Sequence, residues 1–301
     1  MDRRPFIKKL SLGAFLPFLS SAQLISSSIK NDNFSLNYAP HFGMFENSAG
    51  SDLIDQIYFM AEMGFNAFED NSMKSRNLST QNKISKALES KNMSMGVFVA
   101  NKIYWDKPNL ARGDSSYREE FLKDISDSVE VAKRVNAKWM TVVPGLLDHR
   151  KNLSYQTANV IETLKRASEI LEPHGLVMVL EPLNFRDHPG LFLSRSPQAY
   201  QICKSVDSPS CKILFDIYHQ QIQEGNLIPN IESCWDEIGY FQIGDNPGRK
   251  EPLTGEINYS NVFKFIKNKN YTGILGMEHG NSIPGIEGEK ALIEAYRAVD
   301  L

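Results

Sequence analysis

"EILEPHGLVMVLEPLNF", residues 169–185, contains one complete joint of the fold. The apolar stripe of a helix runs into Leu171, "EPHG" at residues 172–175 stops it, and five apolar residues without polar alternation follow. An unbroken apolar run bounded by a helix stop is the pattern of a parallel strand covered on both faces. The run ends on a carboxylate, Glu181, with Pro182 immediately after it. An acid buried at the end of such a strand costs roughly several kcal/mol unless a cation or a partner compensates.

The same joint repeats along the chain. Apolar runs suited to strands are "FSLNYA" (34–39), "FNAFE" (65–69), "MSMGVFVA" (93–100), "KWMTVV" (138–143), "LVMVLE" (176–181), "KILFD" (212–216), "GYFQIGD" (239–245) and "GILGME" (273–278). Between them lie stretches with helical spacing. Residues 116–135 put Phe121, Ile125, Val129 and Ala132 on one stripe, and residues 154–171 do the same with Ala158, Ile161, Leu164 and Leu171. Shorter helical patterns follow Ser51, Thr80, Ser196, Asn258 and Gly288, and only residues 225–232 carry a weak one. Eight alternations over roughly 270 residues have the size of a single (β/α)8 barrel. An open doubly wound sheet is the alternative, but no glycine-rich phosphate loop follows any early strand. No low-complexity linker divides residues 31–301, which therefore read as one domain.

Composition narrows the ligand. The chain has 301 residues, a formal net charge of −3, 42% hydrophobic and 10% aromatic residues. Without a basic excess or a basic block, nucleic acid and anionic membranes are poor partners, and a small molecule is expected. Residues 1–30 differ from the rest: Arg3, Arg4, Lys8 and Lys9 precede an apolar stretch at residues 10–19 and then a serine-rich tail. That layout is a secretory signal, and the paired arginines resemble a twin-arginine export signal, so a periplasmic protein is expected, with an uncleaved membrane anchor as the alternative. Cys203, Cys211 and Cys234 form no CxxC pattern and read as small core residues.

In a barrel of this kind chemistry sits where strands end at the C-terminal rim. In the second half of the chain, strand five ends at Glu181, strand six at Asp216, strand seven carries Gln242 and strand eight ends at Glu278. Three carboxylates and one neutral amide suit a hard divalent cation, Mg²⁺ or Mn²⁺, with open positions left for water or substrate oxygens. Any one of these side chains alone would more often cap a helix or pair with a base; four at equivalent positions point to one ion. Nearby loops add Asn184, Arg186, Asp187 and His188, then His219, then Asp245, Arg249, Glu251 and Glu256. His219 is a candidate for a substrate oxygen, and Arg249 is either a clamp for an oxyanion or a surface partner of Glu251. His41 and His149 are further candidates for the rim.

The segments "EPLNFRDHPG", "FDIYHQQIQEG", "QIGDNPGRKEPLTGEINY" and "MEHG…PGIEGEKALIEAYRAV" resemble those of the hydroxypyruvate isomerase family within the xylose-isomerase-like barrel superfamily. The likeness is dense from about residue 172 onward and collinear from about residue 34. It implies a metal held by Glu181, Asp216, Gln242 and Glu278. By likeness to ketose 3-epimerases, it also implies an acid/base role for Glu181 and Glu278, and substrate contacts from Asp187, His219 and Arg249. Those epimerases carry a histidine as third ligand, and Gln242 favours the isomerase side. The implied reaction interconverts an aldose and a ketose through an enediolate. Ketose 3-epimerisation, sugar or cyclitol dehydration, and a non-catalytic sugar-binding barrel stay open as alternatives. Relatives are often dimers or tetramers, so self-association is an expectation from the resemblance.

Overall fold

A computed structural model describes residues 33–300, and the expected signal segment lies outside the described residues. All eight expected strands form: β1 (Asn37–Ala39), β2 (Ala67–Phe68), β3 (Ser94–Met95), β4 (Trp139–Val142), β5 (Val177–Leu180), β6 (Cys211–Asp216), β7 (Ile238–Ile243) and β8 (Ile274–Met277). Among the described residues, ten α-helices accompany them: α1 (Glu46–Ala49), α2 (Leu53–Glu62), α3 (Leu78–Ser90), α4 (Ser115–Val135), α5 (Leu153–Leu171), α6 (Ser196–Val206), α7 (Ile217–Gln223), α8 (Leu227–Ser233), α9 (Tyr259–Asn268) and α10 (Gly285–Val299). The weak pattern around residues 225–232 is α8, two turns seated by buried Leu227 and Ile231. None of the described helices is long and apolar enough to cross a membrane.

The helices start where short polar side chains take up free backbone N–H groups. Asp52 accepts from Ile54 and Asp55 N, Asn77 from Thr80 N, Asn152 from Ser154 N and Asn258 from Asn261 N. Asn136 and Asp207 end α4 and α6 in the left-handed conformation.

Every strand pairing is parallel. Six strands pair in the order β1-β8-β7-β6-β5-β4, and β2 pairs with β3. Bridges from Met95 to Ala137 and from Val99 to Thr141 join β3 to β4. Glu69 N donates to Pro40 O at 3.0 Å between β2 and β1. The strands thus follow one another around a ring in chain order, a TIM barrel.

Strand periodicity sorts the core into two shells. Ala39, Ala67, Val97, Val177, Val179, Leu214, Tyr240 and Ile274 fill the inside of the ring. The alternate residues, among them Met178, Leu180, Phe215, Phe241 and Met277, pack outward against the helices. The three cysteines are free and buried, as core residues should be.

Candidate active site

Counting in twos from the inner shell locates the chemistry. Glu181 lies two residues past Val179, Asp216 two past Leu214, Gln242 two past Tyr240, and Glu278 four past Ile274. The apolar plug is therefore capped by a polar layer at the C-terminal ends of the strands. In register, Asp216 stands beside Gln242, and Gln242 beside Gly276. Glu181, Asp216 and Gln242 are buried, while a quarter of the Glu278 side chain faces the opening.

The same rule adds a residue the strand-end reading of the second half of the chain passed over. Glu69 lies two past Ala67, ends "FNAFE", and is buried in the same layer. Its Oε2 accepts from Tyr240 OH at 2.8 Å and its Oε1 from Gln242 Nε2 at 2.9 Å. The signal was present in the sequence, a carboxylate closing an apolar run.

Arg249 is the cation of the layer. Its Nη2 donates to Asp216 Oδ2 at 3.0 Å and to Glu278 Oε2 at 2.6 Å, and its Nε donates to Glu278 O at 3.0 Å. The guanidinium also lies over the Tyr218 ring. The alternative pairing with Glu251 does not form; Glu251 accepts instead from Ser282 N and Ser282 Oγ. Asn71 Nδ2 donates to Glu278 Oε1 at 2.8 Å, so both oxygens of Glu278 are oriented.

His219 is fully buried, with Nε2 3.6 Å from Asp216 Oδ2 and 3.9 Å from Glu181 Oε1. Its tautomer follows from Asn184. Asn184 Oδ1 accepts from the N–H groups of Arg186 and Asp187, which fixes Nδ2 as the donor to Asp187 Oδ2 and to His219 Nδ1. Nδ1 is thus an acceptor, and in a neutral ring the proton sits on Nε2, which is buried beside Asp216 and Glu181. Burial holds the imidazole neutral, lowering its pKa to about 4. Asp187 sits at the exposed rim. Burial works to raise its pKa, but hydrogen bonds from Asn184 and Tyr218 outweigh it and hold the carboxyl below its ordinary value.

Burial, and then the charge of neighbouring acids, raises three of the layer's carboxyls above their ordinary range. Burial, followed by the charge of Glu278, pushes Glu69 up to about 8. Burial also raises Glu278 to about 7, with Arg249 opposing and Asp216 adding. Glu181 is raised well above the carboxylate range by burial, then by Glu278 and Asp216.

The donor set fits a divalent ion. Ligand atoms of Glu181, Asp216 and His219 lie within 4.8 Å of one another. Gln242 Oε1 and His219 Nε2 are both buried with no hydrogen-bond partner among the described residues, and Gln242 stands beside Asp216 in register. With its proton on Nε2, His219 is a donor beside Asp216 and Glu181; without that proton the same nitrogen could serve as a ligand with them. Other candidates lie elsewhere. His149 and Arg186 are exposed, and His279 is buried with Nε2 2.8 Å from Tyr296 OH. Asp245 is buried and bonds its own loop at Asn246, Gly255 and Ile257 N. Glu256 accepts from Gln221 and Asn246. His41 bonds Phe42 O and His279 O, and lines a cleft of about 340 Å³ together with Glu69, Asn71, Arg76 and Glu278. His188 stacks on the half-exposed Trp105 ring.

The sequence pattern of the family described as xylose isomerase-like TIM barrel matches residues 57–299. The chain is 32% identical over 194 residues to the hydroxypyruvate isomerase of Escherichia coli K12, covering 61% of this chain and 75% of that protein. It is also 32% identical over 160 residues to the 2-oxo-tetronate isomerase of Cupriavidus necator, covering 53% of this chain and 62% of that protein. A crystal structure described as an AP endonuclease, family 2, from Brucella melitensis superposes with a TM-score of 0.77 at 23% identity, covering 88% of this chain and all of that one. At that identity the likeness speaks for the fold alone.

Proposed function

Because the chain belongs to the xylose isomerase-like TIM barrel family, we propose that it is an isomerase of a small hydroxy-keto acid, working by proton transfer between adjacent carbons. The observation that carries this reading is the polar layer itself: Glu181, Asp216, Gln242 and Glu278 on four neighbouring strand ends, with an unsatisfied amide oxygen among them. The similarity to hydroxypyruvate and 2-oxo-tetronate isomerases supports the substrate class.

Glu181, Asp216, Gln242 and Glu278 would hold one divalent ion, Mg²⁺ or Mn²⁺ by the hardness of the oxygens. Bound there, the ion would supply positive charge to stabilise the negative charge that develops on the substrate. One of Glu181 and Glu278 removes the proton from the hydroxyl-bearing carbon. The C–H electron pair becomes the C=C bond of an enediolate, and the former carbonyl oxygen takes up the charge. His219 Nε2–H donates to that oxygen, and Arg249 stands by as the second positive group. The hydroxyl proton passes to the former carbonyl oxygen, the same or the opposite glutamate delivers a proton to the former carbonyl carbon, and the deprotonated hydroxyl oxygen becomes the new carbonyl. Asp187, at the rim beside Tyr218, is assigned to a substrate hydroxyl. The export expected from residues 1–30 is kept as part of the proposal, with a periplasmic location.

The test is deuterium exchange. In D2O with Mn²⁺, hydroxypyruvate and 2-oxo-tetronates should gain deuterium at the exchanging C–H, and Glu278→Gln should lose roughly 100-fold or more of that rate even at Mn²⁺ concentrations that saturate the variant. A panel of such acids showing no exchange in the presence of Mn²⁺ refutes the reading.

A further inference from the structure

An amide ligand has a defect that a carboxylate lacks. Its two ends are nearly the same size, one an acceptor and the other a donor of two hydrogens. Turned one way it binds a cation, and turned the other it repels one. Something must hold Gln242 the right way round.

Glu69 is placed to do this. Gln242 Nε2 donates to Glu69 Oε1 at 2.9 Å, deep in the ring, and the amide's Oε1 is the end left without a partner. Glu69 is in turn fixed on its other oxygen by Tyr240 OH at 2.8 Å. Its carboxyl fills space that exists because residue 276 is a glycine; a Cβ there would overlap Glu69 Oε2. Two residues further on, Asn71 orients Glu278. The end of β2 therefore holds two of the four side chains assigned to the ion without belonging to that set.

We propose that Glu69 is a positioning residue that, by taking the Gln242 amide N–H, turns its carbonyl oxygen to the mouth and makes it a metal ligand. This rests on the divalent-ion reading above. Loss of an outer partner of a metal ligand weakens affinity by roughly 10- to 100-fold. Charge alone could mimic that effect, since removing any nearby acid weakens cation binding. The discriminating experiment is therefore a double-mutant cycle on the intact chain. Mn²⁺ affinity is measured by titration calorimetry and by the electron paramagnetic resonance of free Mn²⁺, with near-ultraviolet circular dichroism and the thermal midpoint to certify the fold.

In the Gln242 background, Glu69→Leu should weaken Mn²⁺ binding by roughly 10- to 100-fold. In the Gln242→Glu background the ligand has two equivalent oxygens and no wrong face. There Glu69→Leu should weaken binding by several-fold less, through the charge effect common to both backgrounds alone. Glu69→Met, closer in length, should reproduce the pattern if Leu disturbs packing. Equal weakening in both backgrounds would assign Glu69 a charge or packing effect and overturn the positioning role. No weakening in either would overturn it too. Wild-type protein that takes up no Mn²⁺ removes the metal reading and the positioning role together, a result distinct from both.

Discussion

Stripping the protein of divalent ions and raising the pH from about 6.5 to about 8.5 should destabilise it by roughly 2 kcal/mol. Glu181, Asp216 and Glu278 face the guanidinium of Arg249, and Glu69 is buried in the same layer. Burial first, and neighbouring charge second, lifts Glu69 from 4.5 to about 8, and burial lifts Glu278 from 4.5 to about 7. In the unfolded chain both are ionised across this window, while the folded protein still binds protons. A carboxyl whose folded pKa is raised contributes stability that is full below its unfolded value and is lost as pH rises through the folded one. The loss is about 1.36 kcal/mol per pH unit for each proton by which the states differ. The two groups belong to one cluster and titrate together, so their contributions do not add in full. About one proton released over two units gives the stated figure. The buried His219 and His279, lowered by burial from 6.5 to about 4 and about 3, have the opposite sign, but their effect falls below pH 6.5, which is why the window starts there. Urea unfolding of chelator-treated protein is the assay, and the thermal midpoint should fall by roughly 3–4 °C over the same range. Saturating Mn²⁺, which favours the ionised carboxylates, should flatten or invert the slope. Metal-free stability that is constant or rising between those pH values would mean the acids are not gathered as described.

Arg249→Met leaves Asp216 and Glu278 without their cation, and should cost the metal-free protein roughly 3–5 kcal/mol, a part of which Mn²⁺ restores; calorimetry with and without the ion reads both. Gly276→Ala pushes a methyl into the space of the Glu69 carboxyl and should cost roughly 1–3 kcal/mol in urea unfolding. His219→Phe removes the Nε2–H donor at similar volume, and should lower kcat by roughly 100-fold while leaving Mn²⁺ affinity unchanged. A fall in affinity comparable to that of Glu181→Gln would make His219 a ligand instead.

Much of the site was legible because strand geometry is a local rule. Once "LVMVLE", "KILFD", "GYFQIGD" and "GILGME" read as buried parallel strands, a period of two puts Glu181, Asp216, Gln242 and Glu278 on the inner face one layer above the apolar plug. The same period applied to "FNAFE" yields Glu69, so that residue was within reach of the sequence as well. Cysteine burial and helix starts at Asp52, Asn77, Asn152 and Asn258 are local in the same sense, being set by side-chain size and by unpaired N–H groups a few residues away.

The pairings inside the layer were decided only by the tertiary structure. Arg249 could have met Glu251, two residues away, but reaches Asp216 and Glu278, 33 and 29 residues distant. Asn71 finds Glu278 across 207 residues, and Glu69 finds Gln242 across 173. The proton on His219 Nε2 was fixed by Asn184 through two backbone N–H groups of a loop that the sequence alone does not fold. A strand's parity is set by its own backbone, so the chain announces which side chains enter the ring. Which of them share a hydrogen bond depends on closing the ring, and that brings together residues whose separation in sequence carries no trace of it.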